Sequence, residues 1–330
     1  MRWATVILGA TLVGLGGCAR LPLDRDYRGP ESTPSQVRST FDYPEATPTY
    51  AIETLEQARH YTVRRVEFDS QVNVVEPHPI RMDYYDVPGD GPTPVIVVLP
   101  ILGGPTFFAK HFAAGFARRG FAAVIVHRQS QYKDADQLQQ LNDVFLQIVL
   151  DHRQALDWIA SRDEFDQDRI GLFGISAGGI KSCLLHALDD RIDATVAALA
   201  GGDLAYILAY SKEKGIRKRR RKILDEHDIT ADELYEIVRR EFKHDPLNYA
   251  PYADARRMLL ILARFDRIVP YHKGMELRRR LGGPDTIILP TGHLTAILYV
   301  PYIEHAAAAY FRKRFAQVER TEEAVGSAEE

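Results

Sequence analysis

Hydrophobic residues change their spacing several times along the chain, and each change marks an element. TVRRVEFDS (62–70) and IRMDYYDV (80–87) alternate apolar with polar, as half-buried strands do, with Pro77 and Pro79 in the connection. PVIVVLP (94–100) and FAAVIVH (121–127) are continuous apolar runs, which suits strands covered on both faces. FFAKHFAAGFARRG (107–120) between them has helical spacing and a glycine stop. A long helical pattern over 138–161 leads to a strand at 169–173 and a helix from 177 to about 188. Further strands fit 193–199, 257–263 and 285–289, and further helices fit 271–281 and 294–315. Strands alternating with helices predict an α/β protein with a mostly parallel sheet wound on both faces.

One block breaks the alternation. Residues 203–250 read as two or three helices with no strand between them, an insertion expected over the carboxyl ends of the strands, as a lid. Its run Lys212 to Lys222 is rich in Lys and Arg. A solvated helix face is the first reading of that run, and contact with an anionic lipid or polymer the second.

The regular pattern is confined to residues 60–315. Before it, residues 19–59 carry prolines at 22, 30, 34, 44 and 48, which break every period and predict an extended tether. Phe41, Tyr43 and Tyr50 are the side chains in that tether able to find grooves on the domain surface. After it, residues 316–330 read as a polar, disordered tail. Residues 1–18 have signal-peptide character: Arg2, an apolar stretch, then small residues before a cysteine. The ending Leu15-Gly16-Gly17-Cys18 resembles the lipobox of bacterial lipoproteins, which implies acylation of Cys18 and a membrane anchor. Ala19 after the cysteine implies, by the same resemblance, the periplasmic side of an outer membrane. Cys183, the other cysteine, is expected to pack in the interior.

Composition changes this picture little. The 330 residues are 45% hydrophobic and 26% charged, with a formal charge of −3, an ordinary globular composition that suits one large α/β domain with additions, or two small domains. A near-neutral balance gives no reason to expect nucleic acid as a partner. Two cysteines are too few for a disulfide framework, and no run of about twenty apolar residues exists to span a membrane.

The chemistry concentrates where the 169–173 strand meets its helix, in GLFGISAGGI (171–180). Gly174-Ile175-Ser176-Ala177-Gly178 has the G-x-S-x-G form of a turn sharp enough to push a serine out of the sheet. Small residues are needed two places before and after the serine, and Gly174 and Gly178 supply them. The helix that follows aims its first amides at any developing oxyanion. A serine needs a base, and the base needs an orienting acid, expected in the order Ser, acid, His. Asp266 in ARFDRIVP and His293 in PTGH both follow predicted strands, at the same sheet edge as Ser176. Asp203, Asp254 and Asp285 are alternative acids, and His127 could line the cleft. The loop Leu99-Pro100-Ile101-Leu102-Gly103-Gly104 offers a second oxyanion donor, so the amides of Leu102 and Ala177 are the expected pair.

With these pieces in order, residues 60–315 resemble the α/β-hydrolase superfamily, carried by DRIGLFGISAGG, ARFDRIVP and PTGH. The bacterial esterases and acyl-hydrolases with a helical lid are the most similar members. The resemblance implies the α/β-hydrolase fold and serine hydrolysis of an ester, thioester or amide through an acyl-enzyme, with no metal or cofactor. One departure is that Pro100-Ile101 stand where an oxyanion loop often has His-Gly. The expectation is an envelope-tethered hydrolase acting on a small-molecule or lipid carboxylic ester. The alternatives are a peptidase or thioesterase on the same residues, or a non-catalytic binding lipoprotein on a hydrolase scaffold.

Overall fold

A computed structural model describes residues 17–44, 47–101, 106–127 and 138–329. Ten strands among the described residues form one sheet: β1 (Ala19–Leu21), β2 (Ala51–Gln57), β3 (Thr62–Asp69), β4 (Pro79–Asp86), β5 (Thr93–Leu99), β6 (Ala122–Val126), β7 (Phe165–Ile175), β8 (Ala194–Ala198), β9 (Met258–Ala263) and β10 (Asp285–Leu289). Their order across the sheet is β1-β10-β9-β8-β7-β5-β6-β4-β3-β2. The six strands from β10 to β6 run parallel, with β5 moved between β7 and β6. The flanking strands β4, β3, β2 and β1 are antiparallel.

The parallel strands read as apolar runs because both faces are covered. One face is packed by α3 (Leu138–Ala160), α4 (Ala177–His186) and α9 (Tyr271–Arg280), the other by α2 (Phe107–Ala117) and α10 (Val300–Glu329), while the short α1 (Ser35–Thr40) lies in the N-terminal segment. Trp158, Phe165 and Tyr84 meet edge-to-face on the first side. On the second, Phe116 meets Phe173 and Phe311 edge-to-face, and Phe112 lies tilted against Phe173. Such aromatic pairs add about 0.5–1.5 kcal/mol beyond area burial. This is the α/β-hydrolase fold.

The two ends differ from what their composition suggests. The segment 19–59 packs along the domain, with Phe41 and Tyr43 in the surface grooves expected for them, and it also adds strands to the sheet. β1 extends the sheet beside β10, with Ala19 opposite Ile288 and Leu21 opposite Thr286, and β2 extends the other edge. Every side chain of β2 is exposed, so no alternation marks it in the sequence, and its pairing rests on backbone hydrogen bonds to β3. Phe41 is buried against His244 and Tyr249, and the Tyr43 hydroxyl donates to Asp157 Oδ2 at 2.6 Å, so the segment straps the domain. The tail is helical rather than disordered, because α10 continues through 316–329. Half of the lipobox, Leu15 and Gly16, lies outside the described residues, which begin at Gly17.

The 203–250 block contains four helices: α5 (Leu204–Tyr210), α6 (Lys214–His227), α7 (Ala231–Glu241) and the short α8 (Pro246–Tyr249). Ala205, Ile223, Leu234, Val238 and Phe242 give it a core of its own, closed against Leu141 and Phe145 of α3. Thr230 and Glu233 cap α7 reciprocally, a capping box that fixes where that helix starts. The block follows β8 and therefore leaves the sheet at the carboxyl edge of its parallel strands.

Candidate active site

Three loops meet at that edge. β7 ends at Ile175, and the chain turns into α4 through Ser176, whose φ of 57° and ψ of −122° are strained for a residue with a side chain. Such a conformation costs about 1–3 kcal/mol and persists only where neighbours enforce it. Here Ser176 N donates to Ala198 O at 2.8 Å, and Ser176 O accepts from Ile180 N at 3.0 Å. The glycines are required by contact. A Cβ on Gly174 would lie 2.3 Å from the Gly178 carbonyl carbon, and one on Gly178 would lie 2.2 Å from Leu99 O. α4 therefore starts hard against the end of β5, with the Ala177 amide at its first turn.

The loops after β9 and β10 carry Asp266 and His293 and are tied together. Arg264 N donates to Leu289 O at 2.9 Å, and Phe265 N donates to Thr291 O at 2.9 Å. Within the second loop, Thr295 Oγ1 accepts from Gly292 N at 3.0 Å and lies 2.7 Å from Thr291 Oγ1. Asp266 Oδ1 accepts from the amides of Ile268 and Val269 at 2.8 and 2.9 Å, which leaves Oδ2 for His293 Nδ1 at 2.6 Å. His293 Nε2 lies 3.0 Å from Ser176 Oγ. A carboxylate can only accept, so the ring donates from Nδ1 and its Nε2 accepts from the serine hydroxyl. The side chain of Asp266 is 2% exposed and that of His293 12%, so the carboxylate is dry while the imidazole is reachable from the cleft.

The structure separates these three residues from the alternatives. Asp203 caps α5 in a left-handed conformation and takes Lys273 Nζ at 2.6 Å, away from His293. Asp254 holds Arg256 at 2.8 Å, and Asp285 accepts from Leu23 N at the sheet margin. His127 Nε2 is 2.9 Å from Asp83 Oδ2 rather than beside Ser176. Burial raises the Asp83 carboxyl pKa, but His127 and Arg65 outweigh it and hold the group down at about 2. Leu102 lies outside the described residues. Cys183 is buried, and burial pushes its thiol up to about 12, in keeping with packing rather than reaction. Among the described residues no group of three or more His, Cys, Asp or Glu could hold a metal ion, and no helix is long and apolar enough to cross a membrane.

Sequence reasoning missed the rim of the cleft. Phe265 and Leu294, each next in sequence to Asp266 or His293, are exposed, as are Ile297 and Leu298 on the 3-10 turn that follows. HLTAILY reads as the start of an apolar helix face, and nothing in its spacing says that these side chains point outward.

Comparison with known proteins agrees with this architecture. The acetyl xylan esterase from Paenibacillus sp. R4 superposes with a TM-score of 0.59 at 19% identity, over 78% of this chain and 89% of that one. Acetyl xylan esterase 1 from Thermoanaerobacterium sp. JW/SL YS485 gives 0.59 at 18% identity, over 85% and 96%. The acylaminoacyl peptidase of Pyrococcus horikoshii gives 0.56 at 19% identity, over 79% of this chain and 42% of that one. The family model for X-Pro dipeptidyl-peptidase (S15 family) matches residues 41–249, a span that includes the serine turn. The chain is a serine hydrolase and belongs to the X-Pro dipeptidyl-peptidase (S15) family.

Proposed function

We propose that Ser176, His293 and Asp266 are the catalytic triad of a carboxylic ester hydrolase held in the cell envelope through acylated Cys18. The observation that carries this reading is the unbroken chain Asp266 Oδ2, His293 Nδ1, His293 Nε2, Ser176 Oγ at 2.6 and 3.0 Å. Ser176 Oγ attacks the acyl carbonyl while its proton passes to His293 Nε2, and Asp266 stabilises the imidazolium. The amides of Ala177 and Leu102 stabilise the oxyanion, a contribution of about 100- to 1000-fold in rate per donor. The imidazolium then gives its proton to the departing alkoxide, leaving the acyl-enzyme. Water, deprotonated by His293, attacks that acyl group and releases the acid and free Ser176.

A dipeptidyl-peptidase is the second reading, favoured by the family match. It must hold the ammonium of its substrate with a carboxylate beside the nucleophile. Among the described residues, the acidic groups near this edge have other partners: Asp266 holds His293, Asp203 holds Lys273, and Asp83 holds Arg65. These pairings support the ester over the peptide. A fluorophosphonate probe should label the protein but not Ser176→Ala, and labelling of the variant would remove Ser176 from the mechanism. Turnover of a p-nitrophenyl ester series against X-Pro-p-nitroanilides separates the two readings, and faster anilide cleavage would overturn the first. Palmitate incorporation that vanishes in Cys18→Ser tests the anchor.

A further inference from the structure

Among the described residues few large hydrophobic side chains are exposed, and most of them surround one place. Among the described residues there are eight, three of them on β2 and in the loop after β3. The other five are Phe107, Phe265, Leu294, Ile297 and Leu298, at 57% to 79% exposure. Leu294 follows His293, Phe265 precedes Asp266, and Phe107 opens α2 beyond the oxyanion loop. Backbone hydrogen bonds between the Phe265 and Thr291 loops bring the first of these together. Single exposed apolar residues need no explanation, whereas a cluster rimming a cleft marks a surface that something covers.

Two further observations say what covers it. First, β1 runs antiparallel to β10 with Ala19 opposite Ile288, so Cys18 stands beside the carboxyl end of β10. The loop to His293 leaves from that same end, so an acyl chain on Cys18 would emerge on the face that carries the apolar rim. Second, Lys212 N donates to Arg267 O at 3.3 Å, which sets the start of the basic run against the Asp266 loop. Along α6, Lys214, Arg217, Lys218 and Arg221 are exposed at i, i+3, i+4 and i+7, one stripe of positive charge that ends at Asp225 and Glu226. Apolar side chains, cationic groups and an acylation site at one edge are the combination that binds a membrane surface, since one lipid chain alone anchors only marginally.

We infer that the face carrying Ser176 docks on an anionic lipid bilayer, so that the enzyme takes its acyl ester from the membrane phase. The rim enters the headgroup layer, the α6 stripe meets anionic phosphates, and the cleft opens toward the bilayer rather than toward water. This inference rests on the ester-hydrolase reading of Ser176 for its substrate class, but its geometry can be measured separately.

The test uses the full-length protein reconstituted into phosphatidylcholine vesicles containing phosphatidylglycerol. A tryptophan placed by Leu298→Trp should be quenched by lipids brominated near the headgroup, while Leu55→Trp on β2 at the far edge of the sheet should not. Ile297→Ser with Leu298→Ser should slow hydrolysis of 4-methylumbelliferyl palmitate dissolved in the vesicles by about tenfold. The same variant should leave soluble p-nitrophenyl acetate within about twofold. Arg217→Glu with Arg221→Glu should reduce vesicle turnover only when phosphatidylglycerol is present. Unquenched Leu298→Trp, or vesicle turnover unaffected by the rim variant, overturns the docking. A dimer in sedimentation that the rim variant dissolves assigns the rim to a second copy and also overturns it. Failure to cleave any soluble ester would overturn the ester reading instead, while tryptophan quenching would still report the docked face.

Discussion

Among the described residues two groups join a serine, a histidine and an aspartate, and they differ in what the histidine can do. At the cleft, His293 lies between Asp266 and Ser176 Oγ. Beneath the loop after β3, His78 lies between Asp151 and the carbonyl of Glu76, at 3.0 and 2.8 Å, with Ser70 beside the same aspartate. What stands at the second ring nitrogen makes the difference. Ser176 offers a hydroxyl that can donate, so His293 keeps a lone pair and can act as a base. Carboxylate and carbonyl only accept, so His78 donates from both nitrogens and is held as a cation. Burial lowers the His78 pKa, but the hydrogen bond and charge of Asp151 outweigh it and raise it above the ordinary value. Ser70 Oγ donates to Val72 O at 2.9 Å and takes Gln154 Nε2 at 3.1 Å, so its hydroxyl is spent on the loop. His78, Asp151 and Ser70 are buried and clamp that loop to α3.

Replacing each histidine in turn should separate the two groups most strongly. His293→Gln should lower kcat on a soluble ester by about 10⁴-fold or more, with the melting temperature little changed. Asp266→Asn should lose about 10³- to 10⁴-fold, since the ring then settles in the wrong tautomer. His78→Gln should instead leave kcat within about threefold and cost about 1.5–3 kcal/mol of stability, because the buried charge-assisted hydrogen bond to Asp151 is lost. Chemical denaturation and steady-state rates on the same preparations check all three. A His78 variant that is stable but inactive would reverse the roles assigned here. Asp203→Asn is the milder control: its buried partner is Lys273, so it should reduce stability by about 1–3 kcal/mol and spare the chemistry. Loss of activity there, in a protein that still folds, would return Asp203 to the list of candidate acids.

Much of the cleft was legible in the sequence for a local reason. Ser176, Asp266 and His293 each sit within a few residues of an apolar strand, and a parallel sheet gathers its strand ends at one edge. Their meeting follows from topology without any knowledge of long-range contacts. Excluding Asp203 did not follow, because its partner Lys273 is seventy positions away and the left-handed cap that turns it leaves no pattern. The Ser70–His78–Asp151 clamp was illegible for the same reason: Asp151 is one acid on a long amphipathic helix, and only the tertiary fold brings the 70–78 loop onto it. β2 was missed because a strand exposed on every side chain carries no hydrophobic signal, and β1 because three residues are too few to show a period. Proline marked the 19–59 segment as irregular, which it partly is, but irregular backbone can still be strapped down by Phe41, Tyr43 and Tyr50.

The smallest expected effect separates the two histidines by pH. A group whose folded pKa is raised contributes stability that is complete below its unfolded value, about 6.5 for histidine, and is lost as pH rises through the folded value. His78 is such a group, so the clamp should weaken as pH rises above about 6.5, with a slope bounded by one proton, about 1.4 kcal/mol per pH unit. His186 and His244 behave oppositely. Burial holds both down at about 4, so their contribution is present above about 6.5 and is lost as pH falls toward 4. Wild type should therefore lose stability on both sides of neutrality, while His78→Gln should lose only the alkaline part of that dependence. Denaturant midpoints across this range give the measurement. An alkaline slope unchanged in His78→Gln would mean that His78 is neutral in the folded state, and that the two histidines differ in their surroundings but not in their charge.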